Sequence, residues 1–321
     1  MMALQILLFL AGLALIVIGA DALVEGASSI AQRFGVSEFV IGLTIVGMGT
    51  SAPEWVVSMI GAFQGNADIA VGNVVGSNIF NTLLILGITA FILPMHITPG
   101  NRRKDIPVNL AITLLLIGMG LNFGLGGNGL SRIDGAILLA LFAVYIWSCF
   151  RFDEKDVVAQ EEAEQPAKPR SPFLAVLMIL GGLAGLVFGG RLFVNSATTI
   201  ARMLGVSDKF IAITILAGGT SMPELATCVV AAAKKRSSLA LGNILGSNVF
   251  NVLLILGSSA LITPLSFAHM NYVDLGVLLL SAILVCTSVF TGKRNQIDRF
   301  DGALLVGVWL AYMTWLFLHM G

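Results

Sequence analysis

Apolar runs of about 18 to 22 residues recur along this chain, each long enough to cross a hydrocarbon core of about 30 Å as a helix. Short breaks rich in charge, glycine and proline separate them. The pattern predicts ten helical spans, near 3–20, 38–62, 69–93, 106–124, 133–150, 173–190, 208–232, 238–263, 273–291 and 302–319. The short alternating segments of a β-barrel do not occur. Between the fifth and sixth spans lies "RFDEKDVVAQEEAEQPAKPRS", residues 151–171. It is charged, carries proline, and is too short to fold alone, so it is expected to be a linker.

The two sides of that linker are copies. A shift of 170 residues aligns Ile41–Gly87 with Ile211–Gly257 without a gap, and 22 of the 47 positions are identical. Weaker echoes extend outward: "GLA" at 12–14 and 182–184, "DGAIL" at 134–138 and "DGALL" at 301–305. The repeat is therefore the whole five-span half, residues 1–150 and 172–321, with motif segments 41–87 and 211–257. The first run, Ala3–Ala20, lacks a basic n-region and has a mid-chain copy at 173–190, so it is expected to be a retained span and not a cleaved signal. Five is odd, so the second half must enter the membrane from the opposite side. The predicted fold is an all-α membrane protein of ten transmembrane helices, arranged as two inverted five-helix repeats, a plan used by secondary transporters.

Charge gives the orientation. With the N-terminus outside, the inner loops hold 14 of the 18 Lys and Arg, and the outer side holds only Arg132, Arg191, Arg202 and Lys209. The positive-inside rule thus predicts both termini outside and the linker in the cytoplasm. Composition agrees with a membrane protein: mean hydropathy is +0.93 and 11% of residues are charged, against roughly 25% in soluble domains. Formal net charge is zero, which argues against a nucleic-acid partner. Cys149, Cys228 and Cys286 have no metal-type spacing, and His96, His269 and His319 sit at segment ends, so neither a thiolate or histidine metal centre nor a bound cofactor is expected.

Chemistry concentrates in the duplicated segments. Glu54 and Glu224 alone among the 18 acidic residues lie at mid-span, where a charge costs about 2.5–3.5 kcal/mol on insertion scales. Each follows a proline, Pro53 or Pro223, which removes a helix hydrogen bond and is expected to free carbonyls near Gly47–Thr50 and 217–220. Thr50, Ser51, Thr220 and Ser221 add hydroxyls. On the next span Asn73, Ser77 and Asn81 stand at i, i+4, i+8 on one face, and Asn243, Ser247 and Asn251 repeat them. Gly72, Gly76, Gly242 and Gly246 form a small-residue stripe suited to close helix contact. Asn73, Asn243, Asn78 and Asn248 could equally serve only to join helices. Asp21 and Arg191 sit at matching ends of spans one and six and are expected to be interfacial. Two carboxylates with carbonyls, hydroxyls and amides make an all-oxygen shell, which suits Ca²⁺ or Na⁺ and not Zn²⁺ or Cu⁺.

"GTSAPE…GNVVGSNIFN" and "GTSMPE…GNILGSNVFN" resemble the α-repeats of the sodium/calcium exchanger family, within the cation/calcium antiporter superfamily, and suggest a prokaryotic member. The resemblance implies ion ligation by Thr50, Ser51, Glu54, Ser77 and Asn81, by Thr220, Ser221, Glu224, Ser247 and Asn251, and by the carbonyls of Gly47 and Ala217. It implies that spans one and six slide past this core to alternate access, and that the membrane is a prokaryotic inner or plasma membrane. Some relatives carry aspartate where Asn251 stands. Here both halves carry asparagine, leaving two carboxylates, enough to balance one Ca²⁺. The large cytoplasmic regulatory domains of some animal relatives have no counterpart in the short linker.

The expected function is Na⁺-driven Ca²⁺ antiport in the bilayer, with H⁺/Ca²⁺ antiport on the same scaffold as the alternative and a cation channel behind it. The inverted repeat and single central site favour a carrier over a pore. An intramembrane enzyme finds no HExxH, Ser/His or paired-Asp constellation in the spans.

Overall fold

The computed structural model describes residues 2–65, 67–122, 128–151, 170–206, 218–267, 270–290 and 295–319. Eleven helical stretches build the described residues: α1 (Met2–Phe34), α2 (Glu38–Thr50), α3 (Ala52–Phe63), α4 (Ile69–Ile92), α5 (Ile106–Gly120), α6 (Arg132–Arg151), α7 (Pro172–Met203), α8 (Met222–Ala233), α9 (Ser237–Ile262), α10 (Tyr272–Ser288) and α11 (Arg299–His319). Six of them are long and apolar enough to cross a membrane, seven if the bent pair α2/α3 counts as one. The other sequence-predicted spans fall on the shorter apolar helices α5, α8 and α10. Most of the 151–171 linker, and the start of the span expected at 208–232, lie outside the described residues.

Burial sorts the helices into an inner and an outer set. The apolar windows of α9 and α4 are 94% and 67% buried, whereas those of α11, α1 and α6 are 11%, 17% and 22% buried. The outer helices turn large side chains such as Leu7, Ile18, Phe188 and Trp147 outward. That is the inverse of a soluble protein and what a lipid environment demands. The core is sealed where α2 and α9 meet backbone to backbone: a Cβ on Gly242 would lie 2.2 Å from the Phe39 carbonyl oxygen, and one on Gly246 2.2 Å from that of Leu43. The glycine stripe thus acts as expected in the second half. Gly72 and Gly76 have no such neighbour within 4 Å among the described residues.

α1 and α7 differ from expectation. Apolar runs of 18 residues become helices of 33 and 32 residues, because the helix continues through the polar tail of each run. At 1.5 Å per residue α1 is about 50 Å long. Its extension stays buried on one side by Leu23, Val24, Ala27 and Ala31, while Asp21 and Glu25, one turn apart, meet Lys234 at 2.7 and 2.8 Å. Burial works against the charge on Lys234, but the hydrogen bonds to Asp21 and Glu25 outweigh it and raise its pKa above the usual 10.5. Arg236 pairs with Glu38 beside this cluster. Asp21 is therefore an ion-pair partner and not merely an interfacial residue.

The two long helices pack antiparallel along a glycine seam. A Cβ on Gly12 would meet Phe193 N at 2.6 Å, one on Gly19 the Gly182 oxygen at 2.8 Å, and one on Gly26 the Ala175 oxygen at 2.7 Å. Elsewhere Gly87 abuts Gly302, and Gly257 abuts Gly135, the same contact made twice between the halves. Two short antiparallel ladders, absent from the sequence reading, tie the halves together: β1 (Met95–His96) pairs with β4 (Gln296–Ile297), and β2 (Gly129–Leu130) with β3 (Leu265–Ser266).

Candidate cation site

α2 stops at Thr50. Ser51 takes φ −82° and ψ 6°, α3 restarts at Ala52 with Pro53 in its first turn, and the two axes differ by 47°. The second half repeats this: Ser221 has φ −87° and ψ 8°, and α8 starts at Met222 with Pro223 in its first turn. Proline fits a helix start because its missing N–H would have no intrahelical partner there. Each break puts a glutamate, Glu54 or Glu224, in the first turn of a new helix, where the dipole favours an anion. Both are only 1% exposed.

The halves hold each other's carboxylates. Ser51 Oγ donates to Glu224 Oε1 at 2.7 Å, and Ser221 Oγ donates to Glu54 Oε1 at 3.0 Å. The second oxygen of each glutamate, Oε2, is buried without a hydrogen-bond partner among the described residues. The Gly47 carbonyl is not simply freed by the break. It accepts from Ser51 N at 3.1 Å, and from the hydroxyls of Thr50 and Ser247 at 3.4 Å each. Thr50 also donates to Asn243 Oδ1 at 3.2 Å.

α4 and α9 close the site. Ser77, Asn81, Ser247 and Asn251 are all buried. Asn81 and Asn251 lie in π-helical stretches, Phe80–Ile85 and Asn251–Leu256, a widened turn frequent at functional sites. Asn81 Oδ1 and Asn251 Oδ1, like the two Oε2 atoms, are buried acceptors without partners among the described residues. Buried polar atoms normally find hydrogen bonds. Four orphaned oxygens on four residues, two of them carboxylates, fit a hard cation. Thr220 lies in the turn leading into the second break and lines a cleft of about 340 Å³, which also reaches Pro53, Pro223 and, on α7, Arg191. Ala217 lies outside the described residues. Among the described residues no three His, Cys, Asp or Glu side chains cluster to hold a metal, so any cation here depends on amide and hydroxyl oxygens as well.

The partners of the four helix-joining asparagines, Ser58, Cys228 and Thr82, escaped the sequence reading. Asn73 Nδ2 donates to the Glu54 carbonyl at 3.1 Å and to Ser58 Oγ at 3.0 Å, while Asn243 Nδ2 donates to Cys228 Sγ at 3.2 Å. Ser58 and Cys228 are 170 residues apart, so the repeat alignment was the signal that could have found them. Asn78, Asn248 and Thr82 form a further amide network between α4 and α9.

Against known proteins, the family profile described as "Sodium/calcium exchanger protein" matches residues 4–151 and 174–318. The chain is 38% identical over 318 residues to the putative antiporter CaxA of Alkalimonas amylolytica, covering 96% of this chain and 97% of that one. It is 32% identical over 357 residues to the sodium/calcium exchanger MaX1 of Methanosarcina acetivorans, covering 99% of both. Its fold is similar to that of the sodium-calcium exchanger NCX_Mj soaked with 10 mM Na⁺ and 10 mM Sr²⁺, with a TM-score of 0.82, 32% identity, and coverage of 98% of this chain and 99% of the other.

Proposed function

The chain belongs to the sodium/calcium exchanger protein family, a family of transporters and not enzymes, and from that premise we propose that it exchanges Na⁺ for Ca²⁺ by alternating access at one central site built around Glu54 and Glu224. The observation that carries this reading is the pair of reciprocal clamps, Ser51 on Glu224 and Ser221 on Glu54. They hold two carboxylates of opposite halves in one buried centre, each with an oxygen unclaimed. Two negative charges balance one Ca²⁺. The surrounding hydroxyl and amide oxygens of Thr50, Ser77, Asn81, Thr220, Ser247 and Asn251 supply the further ligands that a flexible Ca²⁺ or Na⁺ shell accepts. The carbonyls of Gly47 and Ala217 complete the proposed set.

The inverted ten-span plan, with repeats 1–150 and 172–321 about the 151–171 linker, is part of the same proposal. The antiparallel run of α1 against its repeat mate α7 supports it. So do the ladders: with the termini outside, β1 and β4 both fall on the inner side, and β2 and β3 both on the outer. On that orientation the Lys234–Asp21–Glu25 cluster and the Arg236–Glu38 pair close the cytoplasmic side. The cleft at Arg191, Pro53 and Pro223 leads to the site from the outside. This arrangement is outward-facing.

The test is uptake of radiolabelled Ca²⁺ into proteoliposomes under an imposed Na⁺, H⁺ or K⁺ gradient. Saturable uptake driven by Na⁺ is expected. Uptake driven only by a proton gradient, or unitary currents without counter-ion coupling, would replace this function with H⁺ exchange or a channel.

A further inference from the structure

An asparagine presents an oxygen or an N–H₂ to a ligand according to which way its amide is turned, so an asparagine in a cation site needs something to set it. At Asn251 the structure contains that device. Asn78 Nδ2 lies 3.2 Å from the backbone carbonyl of Asn248. A carbonyl oxygen only accepts, so Asn78 must point its N–H₂ there, and its Oδ1 must point the other way. Asn251 Nδ2 lies 2.9 Å from that Oδ1. An amide oxygen likewise only accepts, so Asn251 must spend its N–H₂ on Asn78. Its own Oδ1 is left buried without a partner. Turning Asn251 around would set two oxygens against each other; turning Asn78 as well would only move that clash to the Asn248 carbonyl. Asn78 and Asn251 are 2% and 0% exposed, so water cannot relieve either conflict.

The first half lacks the equivalent device. The repeat mate of Asn78 is Asn248, but Asn248 Nδ2 donates to Thr82 Oγ1 at 2.8 Å. The repeat mate of Thr82 is Val252, which has no hydroxyl. Thr82 thus draws the Asn248 amide away, and among the described residues both Asn81 Nδ2 and Asn81 Oδ1 remain without partners. Resting on the Ca²⁺-exchange reading above, we infer that Asn78 is a positioning residue. It locks Asn251 with its carbonyl oxygen toward the cation, whereas Thr82 leaves Asn81 free to turn. The two asparagine ligands, alike in sequence, are unlike in action: Asn251 is preset and Asn81 adapts to the ion that arrives.

The experiment compares Asn78→Ala with Asn248→Ala in the full chain, measuring the Ca²⁺ concentration for half-maximal Na⁺-driven uptake and, in detergent, the melting temperature with and without Ca²⁺. Removing a partner that orients a metal ligand typically costs 10–100-fold in metal affinity, and that range is expected for Asn78→Ala. Asn248→Ala, also at a buried position, loses one side-chain hydrogen bond that does not reach Asn251 and should stay within roughly threefold, the scatter of uncoupled changes. On an Asn251→Ala background, Asn78→Ala should add no more than roughly threefold, because its target is gone. Should alanine at 78 fail to fold, Asn78→Leu, closer in volume, takes its place. Ca²⁺-dependent stabilisation follows the same order and reports binding even where flux is too low to measure. Equal shifts from Asn78→Ala and Asn248→Ala, or full additivity with Asn251→Ala, would overturn the positioning role while leaving Ca²⁺ exchange standing. A wild-type protein that neither transports Ca²⁺ nor is stabilised by it would remove both.

Discussion

Glu224→Gln removes one charge from the centre and almost nothing else. Glutamine is nearly isosteric with glutamate, and its Oε1 can still accept the 2.7 Å hydrogen bond from Ser51, so the clamp between the halves survives. The change falls on Oε2, the oxygen buried without a partner. A Ca²⁺ sits about 2.4 Å from a carboxylate ligand. At an effective dielectric of about 20, one unit of negative charge at that distance attracts it by about 14 kcal/mol. Dehydrating the ion and the acid offsets most of this. If about one fifth survives, the substitution costs about 2.8 kcal/mol, or about a hundredfold in affinity. In proteoliposomes loaded with Na⁺, the Ca²⁺ concentration for half-maximal uptake should rise by at least that factor, or uptake should vanish. The melting temperature without Ca²⁺ should stay near that of the wild type. Vigorous Na⁺-dependent Ca²⁺ uptake by a folded Glu54→Gln/Glu224→Gln double variant would refute the reasoning, because among the described residues no third carboxylate clusters with them.

Lys234→Ala breaks the contacts to both Asp21 and Glu25; exposed ion pairs contribute up to about 1 kcal/mol, so the inward-open population should rise roughly fivefold, read as faster labelling of a cytoplasm-facing cysteine near the site, and an unchanged labelling rate would remove the cluster from the gate. Because the Lys234 pKa is raised, the stability this cluster contributes is fully present below pH 10.5 and is lost only as pH climbs through the raised value, so a melting-temperature series from pH 7 to 9 should show no loss assignable to Lys234 by comparison with Lys234→Ala. Gly246→Ala would place a Cβ 2.2 Å from the Leu43 oxygen and 2.6 Å from its Cα; backbone cannot step aside, so a destabilisation of about 1–3 kcal/mol or more is expected, against little change for Gly276→Ala, where nothing lies within 4 Å, and equal melting temperatures would refute the contact. A cysteine introduced at Gln160 should react with a membrane-impermeant thiol reagent only from the cytoplasmic side, and labelling in intact cells would reverse the proposed orientation.

The sequence made the helices legible wherever hydropathy alone decides them. α4, α6 and α9 begin and end within two residues of expectation. It missed the length of α1 and α7, because each helix runs on through a polar tail that no longer reads as an apolar run; in α1 that tail meets Lys234 on one side and apolar neighbours on the other. The bend at Ser51 was visible as a proline in mid-span, and the carboxylates as charges in the wrong medium. The partners were not visible. Sequence set Ser51 beside Glu54, whereas the fold sets Ser51 on Glu224, since a contact across 173 residues is created by the packing of two halves and leaves no local trace. The difference between Thr82 and Val252 was on the page, but only the amide network gives it meaning.

The seam between α1 and α7 has a mechanical consequence. Gly12, Gly19 and Gly26 recur every seven residues and meet Phe193, Gly182 and Ala175 in reverse order, with backbone against backbone. Side chains pack between these points: Phe9 and Phe193 lie with ring centroids 4.5 Å apart, and a Cβ on Gly26 would also lie 3.0 Å from Ile179 Cγ1. The axes lie so close that prising them apart would forfeit contact along the whole length. Such a pair is stiff as a unit. If it moves across the bent helices, it moves as one plank, and travel that uncovers one end of the site covers the other. A leak would require the plank to split lengthwise. In a cell holding Ca²⁺ far from equilibrium, the row of glycines is then less a device for movement than a safeguard against the state with both doors open.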